Sequence, residues 1–560
     1  MTNKYSQHPE IHALIERFLG DLCPFLEKQA REISDLTAIG KALGTGKDIH
    51  TLLEMILSIA RRLTHADGGT LYLVDKKNRY LTFHVMFNDS LNIKESGTTT
   101  KMPHVNLYLE DGSPNLSNIS SHAYHTGEIV NIRDVYQTRV FQFDGTRKFD
   151  RALNYKSRSM VVIPMKNHED RIIGILQLIN AIEPASKKII PFGRDVQEKA
   201  AALANQASVI LTQQKLIHEM KDLFEAFIQA IAVSIDEKSK HTGGHVQRVT
   251  ELCLLIAEQI NRDQTDFKDV YLTEEQIDEL RIAALMHDTG KITTPDHIIN
   301  KATRLETVYD RFELIKTRWD LFKTNKRLEA AQAKLAILDP SAASNRHVTH
   351  NRQTQREFLR IDQECQRQIE KLDRQLSRLS KINTSRSGLS DDQLDELTDI
   401  YNQSETVFDK STPYLTPGEY EFLSVAKGTL TSEERSIVNS HASITEKMLS
   451  KLPWPQKLSN VPVIAGAHHE KLDGTGYPKQ RNKADLNLQA RILAISDIFE
   501  ALSARDRPYK KPLSLSQTRI ILERMGENGL LDNRIITLLF STQIHQTYAR
   551  THLCGDQMDL

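Results

Sequence analysis

The stretch GAHHEKLDGTGYP, Gly466 to Pro478, sets His468 and His469 side by side just ahead of a glycine-rich turn. Adjacent imidazoles add little to packing, but they suit a cleft wall that grips one or two metal ions. Further members of such a set follow the same half of the chain: His245 in IDEKSKHTGGHVQRV, His287 and Asp288 in ALMHDTGKITTPD, His441 in EERSIVNSHASI and Asp497 in RILAISDIFEAL. Asp288 and Asp497 come after largely apolar, helix-like stretches, which puts ionisable groups at the edge of a core. An unpaired charge there is costly, and a bound cation removes the cost. Five neutral imidazoles and two carboxylates form a mixed N/O donor set suited to iron, manganese or another first-row metal, and large enough for two ions. Each residue alone reads as an ordinary surface or core residue. The ordered series His…His-Asp…His…His-His…Asp, with Lys291 three residues past Asp288, outweighs that reading.

The bulk of the chain narrows the setting. Its 560 residues exceed one core, so two or three domains and connecting helices are expected. Lys+Arg and Asp+Glu both total 73, which leaves no global basic field for long nucleic acid. Cys23, Cys253, Cys365 and Cys554 are far apart and form no CxxC pair, against a disulfide framework or a zinc-thiolate site. The polar start MTNKYSQHPE and the lack of any apolar run near ~18 residues point away from a secretion signal or membrane span, and so to a cytoplasmic protein.

The elements that must position these residues divide the chain into an α+β part and an all-α part. After a helical segment at 1–32, the region 33–193 shows a helix, IHTLLEMILSIARRLTHA, and two alternating runs, GTLYLVD and RYLTFHVMFND. Two further strands in SRSMVVIPMKNHEDRIIGILQLINA flank a turn at Lys166 to Asp170. From Arg194 to about residue 240 the pattern is that of a long connecting helix, single or as two coaxial pieces, without Pro or Gly up to Lys238. Helical segments at 223–301 and 417–530 carry the ligand series. Between them, 302–416 reads as an antiparallel helical hairpin, with Val308, Phe312, Ile315, Trp319 and Phe322 on one arm and Phe358, Cys365, Leu372 and Leu379 seven apart on the other. His347 and His350, in the connecting loop, read as solvated loop residues, and 531–560 reads as a C-terminal tail.

HDTGK, HHEKLDGTGYP and DIFEALSARDRPYKKP closely resemble the HD-GYP subgroup of the HD phosphohydrolases, and Thr242 to Val249 fits its TGGHxxRV element. The resemblance implies that His245, His287, Asp288 and Asp497 hold one metal, and that Asp288 bridges to a second held by His441, His468 and His469. It implies hydrolysis of cyclic di-GMP to pGpG, in some cases to GMP, with Lys291 beside the scissile phosphate. Gly474, Gly476 and Pro478 shape a tight turn that brings backbone close to a ligand, and Tyr477 offers a face for a guanine or ribose. Arg507 and Lys510 resemble the family's phosphate-contacting pair, although the interval from Asp497 is one residue longer here than in many relatives. Two other departures stand out. The 154 residues from His287 to His441 far exceed the compact family form, and His241 stands where relatives with a third metal carry a carboxylate. The α+β region resembles a GAF domain, a sensor and dimer-forming module, on the strand pair near Thr70 to Phe87, the VVIPM…GILQLINA ending and the exit helix with AALANQAS.

The leading expectation is therefore a cytoplasmic, metal-dependent cyclic di-GMP phosphodiesterase with two ions, iron or manganese, controlled by its GAF domain. A homodimer, a small-molecule GAF ligand and a protein partner at the GYP loop are further expectations. The competing readings are a phosphohydrolase for another cyclic dinucleotide or nucleotide, and a signalling scaffold with weak catalysis. The complete ligand series speaks against the scaffold.

Overall fold

The computed structural model describes residues 49–75, 77–97, 104–238, 243–338, 352–505 and 512–560. The expected segment 1–32, His241, His347, His350, Arg507 and Lys510 lie outside the described residues. The chain forms two compact units, one ending at Leu223 and one beginning at Phe224.

In the first unit, β1 (Ala66–Val74), β2 (Tyr80–Asn88), β3 (Ile93–Ser96), β4 (Val105–Asn106), β5 (Val130–Ile132), β6 (Met160–Lys166), β7 (Ile172–Ile182) and β8 (Ile189–Ile190) build one sheet. Its order is β3-β2-β1-β7-β6-β5, with β4 on β2 and β8 on β7. The two hairpins read from the sequence are β1–β2 and β6–β7, and antiparallel pairing of Leu71 with Leu176 joins them at the centre. Successive strand residues face opposite sides, so the unbroken apolar run of β6 feeds two cores. Val161 and Ile163 pack with Leu53, Ile56 and Leu57 of the helix Ile49–Thr64 and with Leu203 and Ala207. Met160 and Val162 pack instead with Leu107, Ile119, Ala123 and Phe143. Each large aliphatic side chain so buried contributes about 1.5–3 kcal/mol. Within the polar stretch EDGSPNLSNISSHAYHTGE, which reads as a loop or lid, Ile119–Thr126 is a helix whose Asn118 side chain accepts from the Ser120 and Ser121 amides.

The connecting helix is continuous from Arg194 to Lys238, 45 residues. Ala200, Leu203 and Ala204 belong to the sheet's core, and Ile228 and Ala232 to that of the helical unit. The second core is built around His245–Arg262, Glu274–Met286, Val461–Gly466 and Leu488–Ser503. Capping boxes at Thr273/Gln276 and Thr431/Glu434 fix where Glu274–Met286 and Ser432–Leu449 begin.

The insertion is more than a hairpin. Helices Phe312–Leu338 and Arg352–Thr384 pair, with the Trp319 indole donating to the Leu372 carbonyl at 3.1 Å. A further helix, Asp391–Tyr401, and a hairpin of β9 (Ser404–Val407) and β10 (Lys410–Pro413) lie beside them, and Leu397, Val407, Tyr414, Leu415 and Leu423 complete a core of its own. Val308 is not on the apolar stripe: it precedes the helix and is 88% exposed. At the root, the fully buried Arg304 donates to the carbonyls of Leu423 (2.7 Å), Val425, Ser385 (3.3 Å) and Ser387 (3.3 Å). The predicted tail also differs. Asn533–Ser541 and Ile544–His552 are helices whose Ile535, Leu538, Leu539 and Tyr548 enter the helical core, because their apolar residues recur at helical spacing.

Candidate metal centre

The helix Glu274–Met286 carries the buried run IAALM and stops at His287, leaving Asp288 to open a short 3-10 turn, Thr289–Thr293. That turn presses on the helix Ser432–Leu449. A Cβ on Gly290 would lie 2.0 Å from the His441 carbonyl oxygen, so only glycine fits there. The Thr445 hydroxyl ties the two together, accepting from the Gly290 amide and donating to the His287 carbonyl, both at 2.9 Å. The spacing of HDTGK thus serves to lay His287 and Asp288 against His441.

All seven predicted ligands converge. Asp288 Oδ2 lies 3.4 Å from His287 Nε2 and 3.6 Å from His245 Nε2, while its Oδ1 lies 3.4 Å from His441 Nε2 and 3.9 Å from His468 Nε2. Asp497 Oδ1 faces His245 Nε2 at 3.4 Å and His287 Nε2 at 3.9 Å, and its Oδ2 faces His469 Nδ1 at 3.8 Å. The donor atoms form two groups, His245–His287–Asp288 and His441–His468–His469, each within 4.8 Å. Asp288 presents one oxygen to each, as a bridging carboxylate does.

The orientation of the rings fits cations. His287, His441 and His468 direct Nδ1 at the carbonyls of Ala284 (2.8 Å), Val438 (2.5 Å) and Ala465 (2.7 Å), which leaves each Nε2 lone pair facing inward. His287 Nε2 is buried without a hydrogen-bond partner. Burial drives the His468 imidazole well below its ordinary pKa, lowers that of His441 and takes His469 down to about 4, so these rings are neutral donors at pH 7. For His245, burial opposes protonation, but hydrogen bonds to Asp497 and Glu500 prevail and carry it up to about 10. Burial also works against ionised Asp288, yet Lys291 and the surrounding imidazoles hold it well below the carboxylate range. An orphaned inward nitrogen among neutral rings and ionised carboxylates is what divalent ions require, and neither group contains cysteine.

Lys291 Nζ meets Asp288 Oδ2 at 2.5 Å with its side chain 23% exposed, a cation at the mouth of the centre. The GYP turn abuts the same place. Gly474 has φ +80°, and a Cβ on Gly476 would fall 2.4 Å from the Lys471 amide nitrogen, so the loop folds closely on itself. The buried Glu470 holds it by accepting from the amides of Lys479 (2.6 Å) and Arg481 (3.0 Å). Tyr477, preceding Pro478, donates its amide to the His469 carbonyl and sets its ring 4.8 Å from the His469 ring. Reading the sequence for ligands missed Glu500, Arg248, Thr445 and Glu470. Glu500 and Arg248 each stand three residues after a ligand on its helix, a signal that was available.

Comparison with known proteins finds matches in both halves of the chain. A GAF-domain model matches residues 48–211, and two HD-domain models match 242–373 and 415–535. The chain thus carries a GAF domain, and its helical half matches the HD domain. Among curated proteins it is similar to 3′3′-cGAMP-specific phosphodiesterase 3 of Vibrio cholerae, 44% identical over 17% of this chain and 20% of that one. It is also similar to a probable cyclic di-GMP phosphodiesterase of the same organism, 36% identical over 18% of this chain and 24% of the relative. A cyclic di-GMP phosphodiesterase of Thermotoga maritima is 36% identical over 16% and 24%. The chain spans only 20% to 24% of the length of these relatives. Among the described residues, no helix is long and apolar enough to cross a membrane.

Proposed function

We propose that the helical unit is a metal-dependent phosphodiesterase that opens a 3′–5′ phosphodiester of a cyclic dinucleotide, cyclic di-GMP first, giving pGpG or GMP. The observation that carries this reading is the convergence of four imidazoles on Asp288 and of His245, His287 and His469 on Asp497, with Lys291 at the rim. These residues would hold two divalent ions, iron or manganese by the character of the donors, which would supply Lewis-acid stabilisation of charge on phosphorus and activation of water. The chain's own part is positioning. Carbonyl partners aim His287, His441 and His468 inward, burial keeps His441 and His468 neutral, Lys291 offers a fixed cation to a phosphate oxygen, and Tyr477 offers an aromatic face beside His469. Arg507 and Lys510 remain the proposed phosphate contacts. A second substrate, 3′3′-cGAMP, has specific support, since similar proteins are named for each dinucleotide.

Regulation by the GAF domain belongs to the same proposal. The connecting helix ends against both walls of the first half-site. Asp236 accepts from the Gly244 amide at 3.1 Å and the Val246 amide at 3.5 Å, on either side of His245. Lys238 donates to the Ile292 carbonyl at 3.2 Å and pairs with Asp296 at 3.0 Å, next to the turn that carries Lys291. A GAF ligand that favours one helix position would shift these walls together.

The test is turnover of cyclic di-GMP and 3′3′-cGAMP by protein reconstituted with Mn²⁺ or Fe²⁺, with products identified. Asp288→Ala is expected to lose most metal and, with it, turnover. Undiminished metal by elemental analysis in that variant would remove Asp288 from the centre, and no turnover of either dinucleotide by the metal-replete parent would reject the substrate class.

A further inference from the structure

Four of the five imidazoles in the centre belong to chain that has already turned helically, and three of them use that turn. His287, His441 and His468 each find the carbonyl of the residue three positions earlier, which holds the ring and fixes its tautomer. His245, the first residue of its helix His245–Arg262, is held differently. Its Nδ1 instead meets Glu500 Oε2 at 2.5 Å, a carboxylate supplied by the helix Leu488–Ser503, 255 residues away in sequence. Glu500 is 1% exposed, and a carboxylate buried so deeply needs charge and hydrogen bonds to offset lost hydration. Its other oxygen, Oε1, accepts from Arg248 Nε at 2.8 Å and Nη2 at 2.6 Å, and the same guanidinium donates from Nη1 to the Gly243 carbonyl at 2.9 Å. Arg248 lies one helical turn after His245, so ligand, arginine and carboxylate form a closed set across two helices.

We infer that Glu500, oriented by Arg248, is a positioning residue that sets how tightly the His245 half of the centre holds its ion. The inference rests on the two-ion reading above. A carboxylate accepting from the remote ring nitrogen fixes Nε2 as the donor and raises its basicity beyond what a backbone carbonyl gives. The two half-sites are therefore unequal: His441 and His468, like His287, are held by neutral carbonyls, and His245 alone is held by an anion. Glu500 touches neither ion nor substrate in this scheme and acts only through His245.

Co²⁺ titration of the whole 560-residue chain tests this, because its visible absorption reports the ligand field of each bound ion. In Glu500→Ala, one of the two ions should bind roughly 10–100-fold more weakly with an altered spectrum, and the other should be unchanged. Glu500→Gln keeps an acceptor without the charge and should fall between alanine and parent, a graded rescue that loss of packing alone does not produce. It also carries the test if alanine does not fold, which melting of the metal-free proteins shows. Two ions bound as tightly as in the parent, or equal weakening of both, would overturn the inference while leaving the metal centre standing. A parent that binds no Co²⁺ would overturn both.

Discussion

The metal centre and the root of the arm both bury several charges, and they treat them in opposite ways. At the root, the Arg304 guanidinium is surrounded by four backbone carbonyls, and nearby Arg318 grips Glu419 through two parallel bonds of 2.8 and 3.0 Å. Each of these cations meets its acceptors within the chain. In the metal centre, the two carboxylates and the imidazoles face one another mostly at 3.4 to 3.9 Å, His441 Nε2 and His468 Nε2 stand 3.1 Å apart, and His287 Nε2 has no hydrogen-bond partner. Charge saturated internally makes structure, and charge that converges without closing makes a site for something else. Lys291 sits on the border between the two, since it pairs with Asp288 yet keeps part of its side chain in solvent.

Lys291→Ala asks on which side of that border it belongs. As part of the site, it should leave metal content nearly intact while turnover falls roughly a hundredfold, the loss of one preorganised cation beside the reacting phosphate. Metal-replete turnover equal to the parent would make the lysine a structural partner of Asp288. At the root the expected effect is on folding. Arg304→Met leaves four carbonyls short of a donor and should lower the stability of the arm by about 2 kcal/mol, read as faster hydrogen exchange in Phe312–Leu338 and Arg352–Thr384. Metal content should hold, and loss of metal in that folded variant would mean that the arm helps to build the centre.

The sequence made the ligand series legible because its donors recur in a fixed order and several carry a local pattern, an apolar helix that ends at His287 or a glycine that allows close approach, as Gly290 against His441 shows. Strands such as β6 and β7 were equally plain from apolar runs bounded by turns. What escaped was decided by distant partners. Glu500 takes its role through His245 and Arg248 on another helix, and its spacing three residues after Asp497 does not by itself name those partners. Ile119–Thr126 looks polar, yet its Ser120 and Ser121 are buried beneath the sheet. In 531–560 the helical spacing of Ile535, Leu538 and Leu539 was present, but two nine-residue helices form only by packing on the larger core.

The smallest expected effect comes from pH at the arm. Burial works against the charged form of Glu419, but the Arg318 pair and the Thr416 amide, which donates to Oε2 at 2.8 Å, outweigh it and hold the carboxyl below its ordinary pKa. A depressed folded pKa means that the folded arm binds fewer protons than the unfolded chain, so stability rises with pH. The contribution is complete above the unfolded glutamate value of about 4.3 and is lost as pH falls through the lower folded value. Its size should be on the order of 1 kcal/mol, that of a hydrogen-bonded pair made at the expense of water. Comparing the arm's hydrogen exchange in the parent and in Glu419→Gln, each at pH 6 and near pH 3 after correction for intrinsic exchange, isolates it. The parent should lose protection on acidification by more than the variant, whose residue 419 no longer titrates. Equal losses would show that the Arg318 pair, closed though it is, adds no pH-dependent stability and serves only to fix where Pro417–Leu423 docks.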